Sequence, residues 1–207
     1  MVDKTLLNQA LCGRHGKIFA EKMERAHVAV AGLGGLGSNV AVMLVRMGIG
    51  HLHLIDYDRV DISNLNRQQY TVADIGRYKT EVLQKYLLQI NPYVDIKADC
   101  LKLSAENIAE VLARDEIVCE ALDAPDAKAM LVNEVLTVFT DKKVVAASGM
   151  AGLGSANDVV TRKISDRLYI CGDGRSDCSK MPLTAARAAL CAAHQANIIS
   201  RIILGLE

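Results

Sequence analysis

The chain is predicted to fold as one α/β domain. It would hold a doubly wound, mostly parallel sheet with helices on both faces and an antiparallel pair near the C-terminal end. Three observations predict this. Short β-branched runs alternate with segments of helical period along the chain. Hydrophobic residues make up 51% but aromatics only 4%, with no Trp, so the core is built from Ala, Val, Leu and Ile. Such a core suits parallel strands covered on both sides. Finally, 207 residues give room for one domain of this kind and little beyond it.

The elements follow in order. Residues 5–25 mix apolar and charged positions at helical spacing and read as one or two helices, an N-terminal arm over 1–25. Residues 27–31 (HVAVA) enter a glycine cluster as a buried strand. Residues 38–47 read as a helix ending near Gly48 and Gly50, and 51–56 (HLHLID) as a second strand. After a polar stretch comes a helix over 79–89 that Asn91-Pro92 terminates. Residues 94–98 read as strand, 105–113 as helix, 116–122 as strand, 128–139 as helix and 143–147 as strand. Residues 157–164 and 167–170 suit the antiparallel pair that completes a core over 26–170. A loop over 171–183 leads to a helix over 184–204, in the segment 184–207, with a stripe through Ala186, Leu190, Ala193, Ile199, Ile202 and Ile203.

Formal net charge is zero, from 24 basic and 24 acidic residues, so no global field favours nucleic acid or an anionic membrane. The six cysteines contain no C-x-x-C pair, and in a chain of this size they suggest a reducing cytoplasm rather than a disulfide framework. Cys12 and Cys191 read as helix packing residues, Cys100 and Cys119 as strand-region core. His27, His51, His53 and His194 sit in apolar contexts and read as structural. Residues 1–9 lack the long apolar region of a secretion signal, and Arg46 interrupts the longest apolar run. A soluble protein is expected.

Gly32-Leu33-Gly34-Gly35-Leu36-Gly37 fits G-x-G-x-x-G between a strand and a helix, a Rossmann-like arrangement. Glycines there permit the tight turn and let backbone amides approach a phosphate at the helix N-terminus. Asp56 ends the next strand, where a carboxylate can accept hydrogen bonds from ribose hydroxyls. Loop, helix and acid together point to a nucleotide, without separating NAD from ATP.

The segment 56–68 (DYDRVDISNLNRQ) is unusually polar. Together with GLGGLGS (32–38), Gly76-x-x-Lys79, Asp123-x-x-Asp126 and Gln195-Ala196-Asn197, it resembles the ThiF/MoeB family, relatives of the ubiquitin-activating enzymes, from about residue 10 to 205. In look the chain is most similar to short ThiF-type proteins of thiamine biosynthesis. The resemblance implies a single adenylating domain that uses ATP and Mg²⁺ to activate the C-terminal glycine carboxylate of a ubiquitin-like, Gly-Gly-tailed sulfur-carrier protein. It implies that Gly32, Gly34, Gly35, Gly37, Asp56, Asp58 and Asn64 bind the nucleotide. Arg67 and Lys79 would hold the triphosphate and stabilise the transition state, and Asp126 would bind Mg²⁺ beside Asp123. Outside the matched motifs, Arg67 and Lys79 would read as solvated charges, and Asp123 and Asp126 as turn or helix-cap residues. A homodimer is also implied, with Arg14 reaching across it to the γ-phosphate. Arg14 lies at an uncommon spacing from the glycine loop, and Asn8 holds the ungapped position.

The chain departs from the family pattern in places. It lacks the paired C-x-x-C of many relatives, so no structural zinc is expected. The familiar D-C-T-D-N string is here Asp123-Ala124-Pro125-Asp126-Ala127, which keeps both acids and loses the polar Thr and Asn. The crossover-type loop, 171–183, that would lie over the carrier's tail is short. Cys178 in that loop matches the thiol some thiamine-pathway members use to take the activated carboxylate into an acyl-persulfide, for which a sulfurtransferase could supply sulfur. An incidental loop cysteine is the competing reading. Other candidate functions are activation of the molybdopterin-pathway carrier, adenylation of a tRNA-nucleoside carboxylate, and an NAD(P)-dependent oxidoreductase. The zero net charge weighs against tRNA. The oxidoreductase reading leaves residues 58–68, Lys79 and Asp126 without a task.

Overall fold

The computed structural model describes residues 3–207. Two helices, α1 (Lys4–His15) and α2 (Lys17–Arg25), meet at Gly16 and form the N-terminal arm. Then follow β1 (His27–Ala31), α3 (Gly37–Arg46), β2 (His51–Ile55), α4 (Lys79–Ile90), β3 (Asp95–Asp99) and α5 (Ile108–Val111). The chain continues through β4 (Ile117–Glu120), α6 (Pro125–Val138), β5 (Lys143–Ala147), β6 (Val160–Ser165), β7 (Leu168–Gly172) and α7 (Ala185–Leu204).

The seven strands form one sheet in the order β3-β2-β1-β4-β5-β7-β6. Every neighbouring pair is parallel except β6 with β7. The chain winds outward from β1 through β2 to β3, then returns to β4 on the other side. That reversal opens a crevice above the carboxyl ends of β1 and β4, where ligands bind in sheets of this kind.

Alternation along the strands feeds two cores. Val28, Val30, Leu52, Leu54, Cys119 and Val145 pack under α3, α4 and α7 with Leu44, Leu83, Leu87 and Ile199. Ala29, Ala31, Val118, Val144 and Ala146 face the other way, against Ile108, Leu112, Leu131 and Val135 of α5 and α6. The buried ring of His53 is held between Asp115, 2.9 Å from Nδ1, and Asp99, 3.0 Å from Nε2. That is a structural use, as expected for it.

Four expectations need correction. The buried row of α7 runs through Ala188, Cys191, Ala192, Gln195, Ala196 and Ile199, while Ala186 and Ala193 are exposed. Alanine carries too little apolar bias to fix a helix's rotation. Helix α6 begins at Pro125 rather than 128, because proline at the first helical position sacrifices no hydrogen bond. Only Ile108–Val111 of the segment 105–113 is helical. Cys100 is exposed, since it follows β3, the edge strand, whose own residues are at best half-buried. Among the described residues no helix is long and apolar enough to cross a membrane.

Candidate functional site

The loop from β1 to α3 contains glycines with different tasks. Gly32 has φ +90°, and a Cβ on it would stand 2.6 Å from the Ala121 carbonyl oxygen of the chain leaving β4. A Cβ on Gly37 would stand 1.8 Å from the Gly32 carbonyl oxygen, so this glycine seats α3 on the loop rather than facing the crevice. Gly34 is open, with only Gln68 Nε2 within reach at 3.7 Å, and Gly35 lies under the Arg67 stem at 3.2 Å. The crevice holds a cavity of about 550 Å³ bordered by Gly32, Gly34 and Gly35 but not Gly37.

Asp56 stands just past the end of β2 and is 8% exposed. Its carboxylate accepts from the Leu33 amide at 2.6 Å and the Asp58 amide at 2.7 Å, which ties the acid to the glycine loop. Burial raises its pKa above the ordinary aspartate value, although Lys79 and the two amides oppose that rise. A carboxylate with a raised pKa takes up its proton on acidification before an ordinary aspartate does. Ionised Asp56 is the form that accepts from a ribose hydroxyl. Nucleotide affinity is therefore expected to weaken as pH falls, beginning above the usual aspartate range near about 3.9. Calorimetry across pH should show that loss, and an Asp56→Asn chain should lack it.

The polar segment after β2 folds back over the loop. A 3-10 turn at Ile62–Asn64 is capped by Asp61, which accepts from the Ser63 amide, and Asn64 returns a bond to the Asp61 amide. That turn delivers Asn64, Arg67 and Gln68 to the cavity. Arg67 donates through Nη1 to the Ser63 carbonyl at 3.0 Å and Asn66 Oδ1 at 2.8 Å, while its Nε is buried without a partner. Gln68 Oε1 is likewise buried and unpaired. Lys79 opens α4, and its Nζ lies 2.8 Å from Asp58 Oδ2 and 3.9 Å from Asp56 Oδ2.

The opposite wall comes from the carboxyl ends of β4 and β5 and from the loop after β7. It includes Asp123, Lys128, Ser148, Met150, Ser176 and Cys178. Ser176 Oγ accepts from the Ala151 amide at 3.0 Å and joins the two loops. Their base is fixed by Arg187, which donates to Asp173 at 2.7 Å and to the Ser155 carbonyl at 2.9 Å.

Most of the sequence-derived candidates therefore meet in one cavity: Gly32, Gly34, Gly35, Asp56, Asp58, Asn64, Arg67, Lys79 and Cys178. Gly37, Asp126 and Arg14 do not line it. Asp126 is exposed in the first turn of α6, and Asp123 is the acid of the pair that fronts the cavity. Arg14 is exposed in the last turn of α1, outside its own chain's cavity. No group of three or more His, Cys, Asp or Glu able to hold a metal occurs among the described residues. A Mg²⁺ ion needs fewer, since it is usually held by one or two carboxylates, phosphate oxygens and water. Asp123, a carboxylate at the cavity, fits that mode.

Sequence reasoning missed the fully buried Glu120 and its partner Lys128, and it named Gln195 only within a matched motif, without its task of fastening β4 to β5. Gln195 Nε2 donates to the Glu120 carbonyl at 2.9 Å and the Val145 carbonyl at 3.3 Å. The available signal was a glutamate inside an otherwise apolar strand with a lysine eight residues later.

Comparison with known proteins agrees with this architecture. The model of the ThiF family matches residues 6–207. A sulfur carrier protein adenylyltransferase of Thermus thermophilus is 42% identical over 104 residues, covering 50% of this chain and 38% of that protein. The adenylyltransferase and sulfurtransferase UBA4 of Debaryomyces hansenii is 31% identical over 144 residues, covering 69% of this chain and 32% of its own length. The match thus spans well under half of either relative. Among solved structures, the tRNA N6-threonylcarbamoyladenosine dehydratase TcdA of E. coli, in complex with ATP, superposes with a TM-score of 0.88 at 20% identity. That match covers 100% of this chain and 98% of TcdA. E. coli MccB, crystallised with AMPCPP and MccA, gives 0.71 at 23% identity over 98% and 62%. At these identities the likeness is one of fold.

Proposed function

The chain belongs to the ThiF family, and from that premise we propose that it adenylates the C-terminal glycine carboxylate of a ubiquitin-like sulfur carrier. The thiamine-pathway carrier is our first choice of substrate. The observation that carries the reading is the convergence of Lys79, Arg67, Asp56 and the glycine loop on one cavity with Asp123 opposite. The reaction brings two anions together, so it needs cations and fixed amides more than it needs a base. Asp56 would accept from the ribose, the open face at Gly34 would admit a phosphate, and Arg67 and Lys79 would hold the triphosphate. Asp123 and Asp126 would hold Mg²⁺, which when bound offsets charge on the phosphate oxygens. Arg14 does not line its own chain's cavity, and a second copy would supply it there, so the active form is proposed to be a homodimer, about twice 22.4 kDa by sedimentation.

Pyrophosphate exchange into ATP tests the reading against purified Gly-Gly-tailed carriers of the thiamine and molybdopterin types. Exchange that depends on one carrier identifies the substrate. Exchange that responds to tRNA alone would replace this reading with the nucleoside alternative, and preference for NAD would end both.

Cys178 is exposed and borders the cavity, which supports its proposed role as acceptor of an acyl group from the adenylate. Cys178 would first take the outer sulfur of a persulfide donor, which leaves as its thiol. That outer sulfur would then attack the acyl carbon, the bond from that carbon to the adenylate oxygen would break, and AMP would leave. The product is an acyl-persulfide that is reducible at its S–S bond. Cys178→Ser is expected to retain pyrophosphate exchange, which precedes that step. It should also lose the reducible covalent adduct that is expected by mass spectrometry in the parent with carrier, ATP and a persulfide donor. Buried Cys171, its thiol pKa pushed up to about 11 chiefly by burial, serves as the control. An adduct that persists in Cys178→Ser removes this thiol from the pathway.

A further inference from the structure

Glu120 ends β4 with no exposed surface. Its Oε1 accepts from the Leu122 amide at 2.7 Å and from Lys128 Nζ at 2.8 Å, and its Oε2 accepts from the Ala147 amide at 3.4 Å. Lys128 Nζ also donates to the Leu122 carbonyl at 2.9 Å. An ammonium has three protons, and these bonds engage two of them. Lys128 borders the cavity with its side chain 24% exposed, so the third can serve a ligand there.

A surface lysine has no need of such a partner. A buried carboxylate is strongly unfavourable unless it is fully compensated, and here the compensation fixes one ammonium at one point of the wall. The other cavity-facing residues around the start of α6 are Asp123, Ala124, Pro125 and Ala127, none with a side-chain donor. Lys128 is therefore the donor side chain that α6 turns toward the cavity. It stands beside the ends of β4 and β5, whereas Arg67 and Lys79 arrive from the chain after β2. An anion entering between the two walls meets cations from both.

We propose that Lys128 binds the acceptor carboxylate as it approaches the α-phosphate, with Glu120 as the residue that positions it. This deepens the adenylation reading and rests on it. In the step, a carboxylate oxygen forms a bond to the α-phosphorus while the bond from that phosphorus to the α–β bridging oxygen breaks. Pyrophosphate leaves with that electron pair, and no proton moves to or from Lys128. The ammonium lowers the repulsion between the two anions and orients the attacking oxygen.

Calorimetry on the intact chain with two probes tests this: ATP, and glycyl-sulfamoyl-adenosine, a stable mimic of an acyl-adenylate. The double variant Glu120→Gln/Lys128→Met removes both charges together, so no unpaired carboxylate is left buried. Its affinity for the acyl mimic is expected to fall at least about tenfold while that for ATP stays within about threefold. Glu120→Gln alone keeps the cation but loosens its anchor, and should show a smaller loss confined to the mimic. That arm also decides the matter if the double variant melts early. Equal loss of both probes, or an undiminished affinity for the mimic, overturns the assignment. A parent chain that binds both probes yet exchanges pyrophosphate with no carrier would instead remove the carrier reading and leave Lys128 in place.

Discussion

Lys79→Met is expected to slow carrier-dependent pyrophosphate exchange by about 10²–10³-fold, the usual cost of losing one charged contact to a transferring phosphoryl group. The position of Lys79 argues for function. It is the first residue of α4, where a helix dipole disfavours a cation. Its side chain is only 7% exposed, with its ammonium held by Asp58 and close to Asp56 at the cavity edge. Neither helix stability nor solvation calls for a lysine there, whereas the proposed triphosphate above the glycine loop would. Methionine keeps the stem's packing and deletes the charge. Because the substitution leaves Asp56 and Asp58 without their cation, Lys79→Met/Asp58→Asn serves as the stability control. A folded Lys79→Met chain that exchanges pyrophosphate within about threefold of the parent would show that Lys79 is an ion-pair partner and no more.

The parts of this site that could be read from the sequence are those fixed by local chemistry. G-x-G-x-x-G between a strand and a helix, with an acid at the end of the next strand, is a backbone arrangement, and a run of residue types reveals it. Asp56, Asn64 and Arg67 belong to the polar segment 56–68, Lys79 opens the helix after it, and all four reached the cavity. What stayed hidden depended on rotation and on distant partners. Asp123 and Asp126 are three residues apart, yet which of them fronts the cavity depends on where α6 begins, and the start at Pro125 places Asp126 on an exposed turn. Glu120 went unremarked within the strand read over 116–122 because its partners, Lys128 and Ala147, lie on other elements. Cys100 read as core because a strand's burial depends on its place in the sheet, and β3 lies at the edge. The antiparallel close of the sheet was legible as two adjacent strand-like runs, but the parallel seating of β7 against β5 is a tertiary fact.

Gly37→Ala is expected to destabilise the fold heavily, and Gly34→Ala to leave it intact while impairing nucleotide binding. One motif contains both glycines, and their surroundings set them apart. A Cβ on Gly37 would meet the Gly32 carbonyl oxygen at 1.8 Å and the Val30 side chain at 3.0 Å. Gly32 has no room to retreat, because its amide donates to the Ile55 carbonyl at 2.8 Å and the Ala121 carbonyl stands behind it. Overpacking of side chains costs about 1–3 kcal/mol, and an obstacle made of pinned backbone belongs at or above the top of that range. For a chain of this length about 3 kcal/mol lowers Tm by roughly 6–12 °C. Gly34 carries no positive φ, and a methyl there meets only Gln68 Nε2, at 3.7 Å. The Tm of Gly34→Ala should therefore lie within about 2 °C of the parent. Its methyl would instead fill the space through which a phosphate reaches the loop amides, so ATP affinity should fall at least about tenfold, or about 1.4 kcal/mol. Thermal melts and calorimetry on the two variants separate packing from binding. A Gly37→Ala chain that melts with the parent would mean that the loop yields after all. A Gly34→Ala chain that keeps full ATP affinity would mean that the phosphate does not pass over Gly34.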